Sequence, residues 1–350
     1  MSTLKVDTLQ HRDGTDYILS ERNKLINGDF QVAQRGTSIT SATDITNNDT
    51  NHTLDRWQLF SDGNDIVDVT QETTTVPTNG LYAIALDVET ANKKFGIAQK
   101  IEQKNCVDLI GQEVTLSFKA KVSATTNLDN VKCAIIAWDG TADSLTDDMI
   151  SAWGAEGTDP TLATNYTYEN TPANLNLTTS YATYTTTATI DTSGAKNVVV
   201  FIWSDVTTTS TGEFLYITDV QLERGPSSTP FERKSISQQL EGCQRYFISY
   251  GGNSDFEWIA VGSNISTTLF DGVIHFPTTM RIDPTLAVSA NSDWNLFDGS
   301  IDTTSGWSNI EGSPKHGGIR CTASTQTQGN CSRVYSNNTS DARMTFDAQL

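Results

Sequence analysis

The chain's 350 residues carry 42 acidic and 23 basic side chains, a formal charge of −19. So acidic a surface repels phosphate backbones, which excludes nucleic acid as a partner and any purely electrostatic hold on anionic lipid. No run approaches ~18 consecutive apolar residues, so membrane insertion is not expected either.

At ~100–200 residues per domain the length allows two domains and a tail. Thr, Ser and Asn are plentiful and helix-forming stretches scarce, a bias toward short strands with polar faces. The start, Met1 to Asp7, lacks the apolar stretch of an export signal. The five cysteines, Cys106, Cys133, Cys243, Cys321 and Cys331, are therefore expected to be reduced and packed. Cys321 and Cys331 alone are near enough in sequence to leave a disulfide as an option.

Residues 1–22 are polar, with Leu4, Val6 and Leu9 alternating as in a short strand. A segment this small cannot bury a core alone, so it is expected to dock on a partner. Residues 23–233 read as one β-domain. Val114, Leu116, Phe118, Ala120 and Val122 alternate with polar residues, the period of a half-buried strand. Tyr184, Thr186, Ala188 and Ile190 repeat that pattern. Val131 to Trp138 is more continuously apolar. Val198 to Trp203 is apolar throughout and suits a central strand covered on both faces. Phe214 to Leu222 closes the series. Between them, Asp139 to Asn176 reads as a long loop with a helical turn near Asp147 to Trp153, and a loop of that length is usually functional or held by partners.

Residues 234–246 predict a short helical linker capped by Ser235. Ile236, Leu240, Cys243 and Phe247 fall on one stripe of it. That stripe either lies on its own domain or packs three copies around an axis. Residues 247–350 predict a smaller β-domain, with strands at Phe270 to Pro277, Leu286 to Ala290 and Met344 to Leu350. Asn291 to Asn338 is rich in Gly, Ser, Asn and Thr. The expected fold is thus all-β: a jelly-roll β-sandwich, then a smaller C-terminal β-domain, with a short N-terminal docking segment.

Reactive chemistry has little support. The four histidines include His11 in the tail and His52 in a polar loop. There is no Gly-x-Ser-x-Gly elbow, phosphate-cradling loop or zinc-ligand spacing. The acids of Asp139 to Asp148 miss the EF-hand pattern and read as a solvated loop. The chain is expected to be no enzyme and to require no cofactor. Glycan binding is the plausible activity, since sugars stack on aromatic faces beside hydrogen-bonding side chains. The candidates are Tyr250, Trp258, Trp294, Trp307 and Tyr335, each of which core packing would also explain.

Several phrases stand out together. They are Leu25-Ile26-Asn27-Gly28-Asp29-Phe30-Gln31-Val32-Ala33-Gln34-Arg35-Gly36, Leu54-Asp55-Arg56-Trp57, Val114 to Lys121, Ile217 to Gly225, Thr229-Pro230-Phe231-Glu232, and Cys243-Gln244-Arg245-Tyr246-Phe247. The terminal Phe346-Asp347-Ala348-Gln349-Leu350 fits the same pattern. In order and spacing, the chain resembles bacteriophage tail-fibre or host-recognition proteins whose central module is similar to a carbohydrate-binding jelly roll. The resemblance implies a homotrimeric virion component made in the host bacterial cytoplasm. It also implies attachment to a virion tail or adaptor protein through residues 1–22 and a terminal tip facing a host glycan or receptor. It further implies a structural Ca²⁺ shared by Asp29, Gln31 and Asp219, although Gln31 stands where such modules usually carry Glu. Physically, Arg35 and Arg56 are placed to stack on an indole or pair with Asp55. Two other readings stay open: a capsid decoration or other structural virion protein, and a depolymerase tailspike, whose repeat-like β-helix sequence is missing.

Overall fold

The computed structural model describes residues 21–40 and 51–350. Apart from Glu21 and Arg22, the expected docking segment 1–22 lies outside them.

The chain is all-β. The first core is closed by two six-stranded antiparallel sheets. One runs, in spatial order, Ser38–Ile39, Val67–Glu72, Ala83–Val88, Phe214–Arg224, Glu113–Val122, Ala182–Thr189. The other runs Tyr166–Tyr168, Val131–Trp138, Asn197–Ser204, Phe95–Ile101, Gln58–Ser61, Asn51–His52. From Ala83–Val88 onward the long strands alternate between the sheets, the winding of a jelly roll.

Alternation decides which side chains meet. Val114, Leu116, Phe118, Ala120 and Val122 all point into the shared core. Strand Asn197–Ser204 is buried at every position. Its Val198, Val200 and Ile202 face the sandwich interior, while Val199, Phe201 and Trp203 face a second core on the outer side. A strand in that position needs apolar residues on both faces, which explains its unbroken run. Each large side chain so buried contributes roughly 1.5–3 kcal/mol.

The second core is made by the stretch 139–176. No helical turn forms there. Ile150–Ala152 pairs with Thr161–Leu162, and Met149, Ile150, Trp153 and Tyr166 press onto Phe201 and Trp203. The apolar residues fall at spacings that a chain laid flat on a sheet can bury, and a helix would turn half of them to water. Buried charges pin this layer. Lys94 Nζ pairs directly with Asp205 Oδ1, and both side chains are fully buried. Lys94 also donates to the carbonyls of Ala155 (2.8 Å) and Thr158 (3.3 Å). Lys132 bridges Asp205 (3.0 Å) to Asp159 (2.7 Å).

The terminal residues form a third core between a three-stranded and a seven-stranded sheet. The smaller sheet is Phe247–Tyr250, Met344–Asp347, Thr285–Val288. The larger is Ile301–Thr303, Trp294–Phe297, Cys331–Ser336, Trp258–Asn264, Leu269–His275, His316–Thr322, Gly306–Asn309. Half of the Gly-, Ser- and Asn-rich part is therefore strand, because one face of each strand is open and takes polar residues. Cys321 is buried and Cys331 exposed, and neither is bridged.

The helix is Ile236–Gln244, and Ser235 caps it in a reciprocal box with Gln238. Its apolar stripe is partly taken up within the chain. Ile236 is 55 % exposed, but Cys243 is fully buried and Phe247 nearly so within the same chain. The helix stops at Gln244, so Phe247 sits on the next strand instead.

Arginines join the two domains. The Arg35 guanidinium lies 3.5 Å over the Phe247 ring and pairs with Asp347 at 2.9 Å. Arg56 lies 3.6 Å over Tyr246 and bonds the Lys100 carbonyl at 2.6 Å and Gln349. The rings under these guanidiniums are a phenyl and a phenol, not an indole, and Asp55 accepts from Gln34. Leu350 ends in the second core.

Candidate functional site

The expected calcium ligands do meet. Asp219 sits at φ 52° in a bulge where strand Phe214–Arg224 shifts register against Glu113–Val122. Gly28 passes so close that a Cβ would lie 2.1 Å from the Val220 carbonyl oxygen. Only glycine fits, and the contact brings Asp29 beside the bulge. Yet the positive charge between the carboxylates comes from side chains. Asp219 accepts from Lys119 at 2.8 Å and from Arg233 at 3.2 Å. Arg233 also stands 3.8 Å from Asp29, whose Oδ2 takes the Gln31 amide at 3.3 Å. Burial pushes the Asp29 carboxyl above its ordinary range, and its Oδ1 has no partner. That orphan oxygen is the one feature that suits a metal. The rest does not: Gln31 turns its amide nitrogen inward, and two cations already neutralise the acids. Among the described residues no group of three or more His, Cys, Asp or Glu is placed to hold an ion. Chelator or added calcium is therefore expected to move the thermal midpoint by less than ~1 °C, since a ligand shifts it only by binding the folded chain. A rise of several degrees in calcium would reinstate the ion.

The aromatic candidates separate clearly. Trp294 is fully buried, donates to Ser289 at 3.1 Å and meets Trp307 edge-on. Trp307 is half-buried against the third core. Tyr250 packs on Phe346 and bonds the His275 carbonyl. Tyr335 is 7 % exposed. Trp294 and Tyr335 thus fill the thin sandwich, while Tyr250 and Trp307 keep part of their surface in solvent. Trp258 differs: it is 63 % exposed.

Trp258 opens the central strand of the seven-stranded sheet, across from Tyr335. An irregularity in register follows it, between Trp258 and Ala260. Beyond that point Ala260, Gly262 and Asn264 turn inward, while Val261 and Ser263 turn out. Arg333, on the neighbouring strand, lies 4.1 Å from the centre of the Trp258 ring and 4.3 Å from that of Phe297. Val261 and Val273 flank the cluster, both at least half exposed. One open indole face, a guanidinium and small hydroxyl side chains are therefore gathered on the outer surface of one sheet. This arrangement can stack a planar or ring-shaped ligand and donate hydrogen bonds to it.

A second cation–aromatic surface lies on the jelly roll, at residues that no motif singles out. Lys121 sits 5.5 Å from the Tyr216 ring and 6.0 Å from that of Tyr181. With Lys119 and the stretch 75–78, it lines a cavity of about 530 Å³. The only local sign is the polar half of the alternating strand Glu113–Val122.

Fold and surface together define an all-β protein of several antiparallel sheets with an exposed aromatic–cation face on its seven-stranded sheet. No family model and no curated protein matches the sequence. Among solved structures, the chain is similar to the enzymatically active domain of bacteriophage CBA120 tailspike protein 4 (17 % identity, TM-score 0.37), over 60 % of this chain and 23 % of that one. It is also similar to a Bacteroides thetaiotaomicron protein described as sugar-binding (15 % identity, TM-score 0.35), over 58 % of this chain and 100 % of that one. A third is the CBM22-1 xylan-binding domain of Paenibacillus barcinonensis Xyn10C (13 % identity, TM-score 0.29), over 55 % of this chain and 94 % of that one.

Proposed function

We propose that the chain is a virion attachment protein, a tail fibre that holds a host-surface glycan on the outer face of its terminal sheet. One observation carries the reading: of the aromatic candidates, Trp258 alone presents its ring to solvent, at 63 % exposure. Beside the exposed Val261 and Val273 it makes a contiguous apolar patch of the kind that marks an interaction surface. The rest of the architecture suits display. The terminal domain is fastened to the jelly roll by Arg35 and Arg56, so a load on the tip passes into the larger body. Residues 1–22 would attach to the tail or an adaptor. A homotrimer would let three weak sites act as one strong one. The protein is read as non-catalytic, with no cofactor needed.

Trp258→Ala tests this. Host-cell adsorption is expected to fall at least ~10-fold, because stacking on an exposed indole is worth on the order of 1–2 kcal/mol per site and is multiplied by avidity. The unfolding midpoint is expected to stay put. Undiminished adsorption would remove the idea. Exposed Val261 and Val273 favour a second reading, in which a sister copy covers this face. Light scattering separates them: under that reading Trp258→Ala lowers the oligomeric state.

A further inference from the structure

We propose that the Trp258 face selects a sparsely acidic saccharide, its sugar ring stacked on Trp258 and its single carboxylate held by Arg333. The inference rests on the glycan reading of the same face and narrows it to a chemical class.

An imbalance of charge is the starting point. In a chain of charge −19, acids outnumber cations almost two to one, so an arginine finds a partner easily. Arg35, Arg245 and Arg320 pair with acids, and Arg56 is held by the Lys100 carbonyl. Among the described residues, the Arg333 side chain makes no hydrogen bond and no ion pair with any of them. It is not short of opportunity, since Asp271 lies on the same outer face and is taken instead by Arg320 through two bonds of 2.7 and 2.6 Å.

Arg333 is also partly stripped of water. Trp258 and Phe297 approach its guanidinium at 4.1 and 4.3 Å, and Tyr335 stands at 5.8 Å. Its Nε is buried without an acceptor, while the terminal nitrogens are not enclosed. A guanidinium covered by rings can still donate along its open edge. That edge matches the two oxygens of a carboxylate, and a charge-assisted bond there is stronger than one between neutral groups. The same stacking holds the side chain in place before the ligand arrives, so little freedom is lost on binding.

The ligand class follows from what surrounds the cation. The indole face turned away from Arg333 is open and suits the apolar face of a neutral pyranose, and the carboxylate of the neighbouring sugar reaches the guanidinium's open edge around the ring. One unpaired cation neutralises one anion. A dense polyanion would meet the net negative charge of the whole protein and be repelled. A chain of mostly neutral sugars with an occasional uronic or sialic acid satisfies both conditions.

The test uses the full-length protein on an array of matched saccharides. Sialyllactose is set beside lactose, and trigalacturonic acid beside its methyl ester, with partly acidic polysaccharides beside their carboxyl-reduced forms. The acidic member of a pair is expected to bind at least ~10-fold tighter, the scale of one charge-assisted contact. Arg333→Gln is expected to erase the difference within pairs, and Arg333→Lys to restore part of it. Trp258→Ala is expected to weaken both members. Equal binding of acidic and neutral members would overturn the inference and leave the glycan reading standing. An intact preference in Arg333→Gln would also overturn it. Binding to no saccharide, with Arg333→Gln lowering the oligomeric state, would overturn both. Should Arg333→Gln fail to fold, the ester pair on the native protein decides the same question.

Discussion

Asp205→Ala is expected to cost about 3–5 kcal/mol of stability, the cost of leaving a buried charge without its partner. Asp205 is wholly buried and holds two ammonium groups, Lys94 in direct contact and Lys132 at 3.0 Å. It also accepts the Gly157 backbone N–H at 2.9 Å. Lys94 is itself fully buried, so without Asp205 its charge keeps only carbonyl partners. Those carbonyls belong to the layer 139–176, so the damage is expected to begin there. Limited proteolysis is expected to cut within 139–176 in the variant and not in the parent, and urea unfolding gives the magnitude. A different substitution separates charge from packing. Replacing both partners, Lys94→Met with Asp205→Leu, removes the uncompensated charge and is expected to recover most of the loss. If Asp205→Ala unfolded at the parental urea concentration, the network would be an ornament of the fold.

The strands were legible because their information is local. Alternation along Val114 to Val122, and the unbroken apolar run from Val198 to Trp203, each name the faces they bury. The Ser235 cap was legible for the same reason, since its partner Gln238 is three residues away. Exposure of the aromatics was not legible. Trp258 and Trp294 both open short strands, and what separates them is which face the sheet's register assigns to each. Charge partners were hidden by distance along the chain. Asp219 looks like a free carboxylate until Lys119, 100 residues earlier, folds onto it. Arg35, Arg56, Tyr246, Phe247, Asp347 and Gln349 lie far apart in the chain yet form the two sides of one joint, which no local pattern announces.

Arg56→Ala is expected to loosen that joint at a cost of about 3 kcal/mol, summing a charge-assisted bond and a cation–ring contact. Arg56 is 3 % exposed and comes from the jelly roll, while Tyr246 and Gln349 come from the linker and the chain's end. Its loss leaves the Lys100 carbonyl without that donor and empties the space under the Tyr246 ring. Tyr246 remains tied to Glu102 at 3.0 Å, and Glu102 to Arg245 at 2.6 and 3.0 Å, so the joint is weakened but not abolished. Calorimetry is expected to show the terminal domain melting ahead of the jelly roll, where the parent melts as one unit. Arg56→Lys keeps the charge but has neither the fork nor the flat face, so an intermediate loss is expected. Trp258 lies on the seven-stranded sheet of the terminal domain, whereas Phe247 and Asp347, which meet the jelly roll, lie on the three-stranded one. The loosened protein is therefore expected to keep its affinity for a small saccharide in solution while adsorbing poorly as part of a particle. That split between free binding and loaded binding is what a rigid joint predicts, and equal losses in both would mean that Arg56 shapes the terminal sheet itself.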